Sequence, residues 1–289
     1  MCKSIALVNT PESPCPWTHN AACNEFIAGW QDFGYTASEA RRLDECVDKS
    51  VLLLSCHAID WNYLKKMNDA NPDAVYILWF YFDHIDKIPF RKYVLTGEHY
   101  VHPPTLPAHK HWYDIAMSVP NYVPLMLRAN ISPSVIGMTP NMPVWNGCFM
   151  GSGYKHDWVY GLPNVLYHDV SAGLLSYAER EGVFRTSRVA FGFHSDGNIA
   201  NNHITQRVFE GLAAGCVVIS DNPAATDLTG GIVIYVSNKE EFLIAYNNVL
   251  NDDELCARKR SEGFAWARAY GTNRYAAQQF LTKISELWG

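Results

Sequence analysis

The chain has 289 residues, 48% hydrophobic and 18% charged, the balance of a globular protein with a full core. A net charge of -6 argues against a general nucleic-acid binder, which is usually basic. No apolar run approaches the roughly 20 residues that a membrane-crossing helix needs.

Among the eight cysteines none forms a C-x-x-C pair, and several fall in apolar patterns where a thiol acts as a small hydrophobe. This predicts a reducing, cytoplasmic compartment and no zinc site. The segment Met1 to Asn9 is too short an apolar stretch for a signal peptide and reads as a first strand, Ile5–Val8. A proline-containing loop with His19 follows, then helical spacing from Asn24 to Phe33, with Phe26, Ile27, Trp30 and Phe33 on one side. Val51–Ser55 is a buried strand, Ile59–Met67 a helix, and Ala74–Phe82 a third strand ending at Asp83 and His84. Tyr93–Thr96 reads as a fourth strand; Ile115–Val119 and Val123–Leu127 read as strands or a short helix. Strand and helix alternate, which predicts a parallel α/β sheet.

The proline-containing stretch Ile131–Asn146 is the expected linker. Beyond it Gly147–Met150 is a strand with a tight turn at Gly151-Ser152-Gly153-Tyr154. Helical character returns near Leu174–Glu181, and the strand Val189–Phe193 ends in the loop His194-Ser195. Then Asn201 to Asn222 reads as a polar entry, a short helix, a turn at Gly215 and a buried strand over Cys216–Ser220. The small pair Ala213-Ala214 is expected to let that helix lie close on a sheet. A further strand, Ile232–Val236, precedes a helix starting near Asn238 and another covering much of Asp252–Leu287, with Asp252 and Asp253 at its cap. Both halves therefore read as Rossmann-like, residues 1–135 and 147–289, with a return of the last helix to the first domain as an open alternative. In such folds ligands bind beyond the carboxyl ends of the strands.

Arg207 lies at the start of the short helix, where free backbone N–H groups and a cation together form an anion site, most naturally for phosphate. Glu210, one turn later, suits sugar or ribose hydroxyls; the plain alternative is a surface pair between the two. Gly151 and Ser152 offer backbone N–H groups to a phosphate. His194 and Ser195 are either donor contacts or a satisfied loop. His109 and His111 form an H-x-H pair for which no third ligand is identified. The cluster Arg258-Lys259-Arg260 is read as a solvated helix face, with peripheral membrane contact as the other reading.

The segment Phe209-Glu-Gly-Leu-Ala-Ala-Gly-Cys-Val-Val-Ile-Ser-Asp-Asn222 resembles the donor motif of GT-B glycosyltransferases. The closer likeness is to the CgeB-type group, carried by Arg207-Val-Phe-Glu210, Phe149–Tyr154 and Tyr270-Gly-Thr-Asn-Arg274; Ile204–Val218 is also similar to a segment of GT-B fucosyltransferases. The likeness covers residues 147–281 and implies a GT-B fold, two Rossmann-like domains facing across a cleft. It implies transfer of a sugar from a nucleotide-diphosphate donor to a hydroxyl of a glycan or glycoconjugate; no D-x-D signature of a metal-dependent transferase occurs, so no metal or other cofactor is expected, and the net charge argues against a nucleic-acid partner. The donor would meet Gly151, Ser152, His194, Ser195, Asn202, Thr205, Arg207, Glu210 and Asn222, with Arg207 on the diphosphate and Glu210 on the ribose. Tyr270 and Arg274 are expected to hold the last helix. The sequence departs from the family pattern at Asn202, where a second glutamate is common, and at Val217, where proline is usual. These changes leave the stereochemical outcome open. A base for an inverting reaction would come from the first half, with His19 and Asp83 as candidates, His84 and Glu98 behind them. A nucleotide-sugar isomerising enzyme and a non-catalytic nucleotide-sugar binding protein are the competing classes.

Overall fold

The computed structural model describes residues 4–11, 26–56, 61–80, 88–96, 143–152, 155–173 and 175–289. The described chain forms two compact units, residues 4–96 with 273–289, and residues 143–272.

In the first unit the strands are β1 (Ser4–Val8), β2 (Thr36–Ala40), β3 (Val51–Cys56), β4 (Val75–Phe80) and β5 (Tyr93–Thr96). They form one parallel sheet in the order β2-β1-β3-β4-β5. Its core is largely aliphatic: Ile5, Leu7, Val8, Leu52, Leu53, Leu54, Ile77 and Leu78 are all buried. Continuous apolar runs of this kind are what a sheet covered on both faces requires. Helix α1 covers residues 26–32 and α2 is Trp61–Ala70, both close to their sequence expectations.

In the second unit β6 (Trp145–Gly151), β7 (Val165–Asp169), β8 (Ser187–Gly192), β9 (Val217–Ser220) and β10 (Ile234–Tyr235) form a second parallel sheet. Its order, β10-β9-β8-β6-β7, is that of the first sheet counted from the other edge. In each sheet, then, the first strand lies between the second and third. The crossover direction reverses at the gap between first and third strands, the topological switch point where ligands collect in such folds. Here the core is aromatic: Phe149, Phe191, Phe193, Phe242 and Tyr246 are buried together.

The helices of this unit are α3 (His156–Val159), α4 (Tyr177–Arg185), α5 (Asp196–Ala200), α6 (Gln206–Ala213), α7 (Pro223–Leu228), α8 (Lys239–Asn251) and α9 (Asp253–Tyr270). Their starts follow local chemistry. Ser176 and Glu179 close a capping box on α4, Asn238 caps α8, and Asp252 caps α9 by accepting from the Leu255 N–H at 2.8 Å.

The structure departs from the sequence reading in several places. Strands β2 and β7 were not expected. Each is the outer neighbour of the first strand, only partly buried, and so lacks the apolar run that marks β3 or β9. Strand β10 keeps only two residues of the expected Ile232–Val236. The long final helix is two helices, α9 and α10 (Asn273–Trp288), separated at Gly271-Thr272. A Cβ on Gly271 would stand 2.9 Å from the Ala267 Cα. Helix α10 belongs to the first unit, where Phe26 and Phe280 have ring centroids 5.9 Å apart and Trp30 Nε1 donates to the Ala277 carbonyl at 3.3 Å. Arg274 pairs there with Asp32 at 2.6 Å, the holding role expected of it. The basic cluster is not simply solvated. Lys259 donates to the Gly231 carbonyl and Arg260 to the Gly215 carbonyl, each at 2.6 Å, so two of the three cations cap backbone at turns.

Candidate functional site

The helix that carries Arg207 is placed by its buried face. Val208, Phe209, Gly211, Leu212 and Ala213 are inside, and a Cβ on Gly211 would lie 2.8 Å from Ala190 Cβ and 3.0 Å from Val218 Cγ2. The position where the helix tolerates no side chain against β8 and β9 is thus Gly211, not the Ala213-Ala214 pair. Gly215 closes the helix with φ of 79°, as its place in the sequence predicts.

So held, α6 presents Arg207 to the switch point between β6 and β8. Its guanidinium carbon lies 4.7 Å from the centroid of the Phe149 ring, and Nη1 donates to the Phe193 carbonyl at 3.1 Å. A Cβ on Gly151 would sit 2.4 Å from Arg207 Nη2. Gly151 is needed here because it leaves room for the cation, a more specific reason than the exposed N–H groups read from the sequence.

Beside the cation is a buried polar network. His194 is 1% exposed, and its Nδ1 lies 2.9 Å from Asp221 Oδ1. On the other side of the ring, Nε2 accepts from the Thr205 backbone N–H at 3.1 Å, with the Thr205 hydroxyl 3.3 Å away. An accepting Nε2 has no proton, so Nδ1 carries it and donates to Asp221. The ring is neutral. Burial pushes its pKa below the usual imidazole value; Asp221 opposes this, while Arg207 and His203 add to the fall.

Several site residues read from sequence take different parts. Both His194 ring nitrogens are occupied within the protein, so its ring holds Thr205 and does not itself face a ligand. Ser195 caps α5, its hydroxyl accepting from the Asn198 N–H. Asn222 is fully buried, donating to the His203 carbonyl and accepting from the Ala224 N–H. Asn202 takes a left-handed conformation at φ of 54°, which asparagine tolerates well. Thr205 is the N-cap residue of α6 and makes no side-chain cap bond, its side chain meeting His194 instead. Ser152 follows β6 beside Gly151.

Glu210 differs most from expectation. Its side chain is 5% exposed and pairs with Arg180 of α4, so it turns no surface toward a ribose in this structure and does not form the surface pair with Arg207 either. Burial pushes its carboxyl pKa up, with Arg180 and then Arg207 pulling the other way. Arg180 carried no signal in the sequence, since an arginine on an amphipathic helix is ordinarily solvated. Asp221 was also missed, although a carboxylate directly after a buried strand was a legible hint. His19, Asp83, His84, Glu98, His109, His111 and Tyr154 lie outside the described residues.

The two parallel α/β units have the GT-B fold, matching solved glycosyltransferase structures. Residues 138–282 match the model of the family described as glycosyl transferase-like, and the chain belongs to that family. No curated protein sequence matches it. Among solved structures, an alpha-glucosyltransferase in complex with UDP and a 13-mer DNA containing an HMU base is similar with a TM-score of 0.64, 11% identity, 93% of this chain and 95% of that chain covered. The beta-glucosyltransferase of T4 phage is similar with a TM-score of 0.56, 12% identity, 99% of this chain and 100% of that one covered. The T4 enzyme in complex with UDP and Mn2+ matches with the same TM-score and identity. At such identities these structures speak for the fold. Among the described residues no helix is long and apolar enough to cross a membrane.

Proposed function

We propose that the protein transfers a sugar from a nucleotide-diphosphate donor to a hydroxyl of a glycan or glycoconjugate, and that the second unit binds the donor. The observation that carries this reading is Arg207, fixed at the switch point of a unit that matches a glycosyltransferase family. Cleavage of the donor leaves charge on the departing diphosphate, and fixed positive groups stabilise it most effectively in a site that excludes water. Arg207 and the N–H groups opening α6 supply such charge, so transfer is expected to proceed without a metal ion. In the inverting case His19 or Asp83, in the N-terminal half of the sequence, takes the acceptor proton. The CgeB-type group remains the favoured subfamily on the motif around Arg207.

The test incubates the pure protein with UDP-, GDP-, ADP- and TDP-sugars and CMP-sialic acid, with and without glycan acceptors and with EDTA. Nucleotide released only with an acceptor supports transfer. Isomerisation of the sugar without acceptor points to the isomerising class, and binding without turnover to a non-catalytic protein. Loss of turnover in EDTA overturns metal independence. Arg207→Ala is expected to weaken donor binding by about 1.5–3 kcal/mol, the range for a charged hydrogen bond. A second acceptor class, DNA, is included because one structural neighbour was solved with DNA bound. The chain's net charge of -6 favours the glycan.

A further inference from the structure

The peptide joining Phe193 to His194 is bonded at both ends. Its carbonyl accepts from Arg207 Nη1 at 3.1 Å, and its N–H donates to Asp221 Oδ1 at 3.0 Å and Oδ2 at 3.3 Å. A carboxylate on the N–H side and a guanidinium on the carbonyl side polarise one amide in the same sense. Such chains of bonds strengthen one another in a low-dielectric interior. Asp221, 5% exposed, also accepts from His194 Nδ1, whose ring holds the Thr205 N–H through Nε2. One carboxylate therefore reaches the cation through a peptide and the N-cap residue of α6 through an imidazole.

We propose that Asp221 is the positioning residue of the anion site, setting both the Arg207 guanidinium and the Thr205 amide without touching the ligand. This rests on the donor-site reading of Arg207. The arrangement requires His194 to be neutral, because a proton on Nε2 would meet the Thr205 N–H head on. Among the described residues the charged and titratable groups that bear on His194 are Asp221, Arg207 and His203. Acid therefore breaks the Thr205 limb, and diphosphate affinity falls with it. Removing the carboxylate removes the group that favours a protonated His194, so in Asp221→Asn the acid loss moves to lower pH even as affinity near neutrality declines.

The experiment titrates the full-length wild type, Arg207→Ala and Asp221→Asn with UDP, GDP and ADP from pH 5 to 8, ranges chosen about the ordinary imidazole value. The expected result is about tenfold weaker binding by Asp221→Asn at neutral pH, in line with loss of a charge-assisted bond, and an acid midpoint below that of the wild type. Nitrogen-15 NMR of the wild type is expected to show His194 protonated on Nδ1 alone at neutral pH, a readout independent of whether the variant folds. Wild-type affinity in Asp221→Asn beside a weakened Arg207→Ala would overturn this inference alone, as would a His194 ring protonated on Nε2. Failure of the wild type to bind any of the three diphosphates would overturn the donor-site reading and this inference together.

Discussion

The two units share a strand order but differ at the place where that order reverses. In the second, the ends of β6 and β8 enclose Arg207 against an aromatic ring, with Asp221 and His194 buried behind it. In the first, β1 is followed by Asn9, whose side chain donates to Glu39 of β2 at 2.6 Å, and Glu39 pairs with Arg41, a side chain 76% exposed. Each unit thus carries a carboxylate–arginine pair, Glu39 with Arg41 in the first and Glu210 with Arg180 in the second. One pair is buried with Glu210 at its centre; the other faces water. The fold supplies a crevice, and only the chemistry placed at its lip makes that crevice a site.

The cores beneath the two crevices differ in a related way. The core of the first unit is mainly aliphatic, and its buried rings, such as the stacked pair Tyr76 and Phe90, pack against one another. In the aromatic core of the second, Phe149 stacks on Tyr167 with ring centroids 5.0 Å apart and on its own account forms the floor under Arg207. Packing and binding share a residue there.

The sharpest way to break the comparison is to remove the buried carboxylate. Glu210→Gln leaves Arg180 without its partner and is expected to cost about 3 kcal/mol of stability, measured by urea denaturation. Glu39→Gln, at the exposed pair, is expected to change stability by less than about 1 kcal/mol. Equal losses in the two variants would erase the distinction drawn here.

Gly151→Ala separates function from folding. The added methyl group meets the tip of a flexible arginine and not the backbone, so the fold accommodates it by displacing the cation. Donor affinity is expected to fall by about 1.5–3 kcal/mol while the melting temperature moves little. Calorimetric titration with the donor and a thermal melt, run side by side, decide it.

A smaller effect is expected from pH. Because folding lowers the His194 pKa, the unfolded chain binds a proton that the folded one refuses. Stability from this residue is complete above about 6.5 and declines as pH falls below it toward the folded value. His194→Asn, which keeps a donor for Asp221 but gives no proton-binding site, is expected to flatten that decline in a series of denaturation curves. In the first unit Asn9→Ala, which removes the bond to Glu39, should cost about 0.5–1.5 kcal/mol with donor affinity unchanged.

Much of this was legible before folding. The buried strands β1, β3, β4, β8 and β9 announce themselves as apolar runs, and Arg207, Gly215, Asn238 and Asp252 stand where helix ends require them. Each of those signals is local, a matter of period, cap or turn. The strands β2 and β7 escaped notice because edge strands are half solvated and carry no run. The break at Gly271 escaped because both helices on either side are amphipathic and their faces turn to different units.

The sequence by itself determined that two α/β halves would form and that a cation would open the helix before Gly215. Only the tertiary structure decided what that cation meets: the ring of Phe149, the space at Gly151 and the carbonyl of Phe193 come from two strands that are distant in the chain and neighbours only across a crossover. It also decided that Glu210 would turn inward to Arg180 and that His194 would serve Thr205. Burial and partner choice are long-range properties, set by which side chains the packed sheet brings within hydrogen-bond reach, and no window of neighbouring residues contains them.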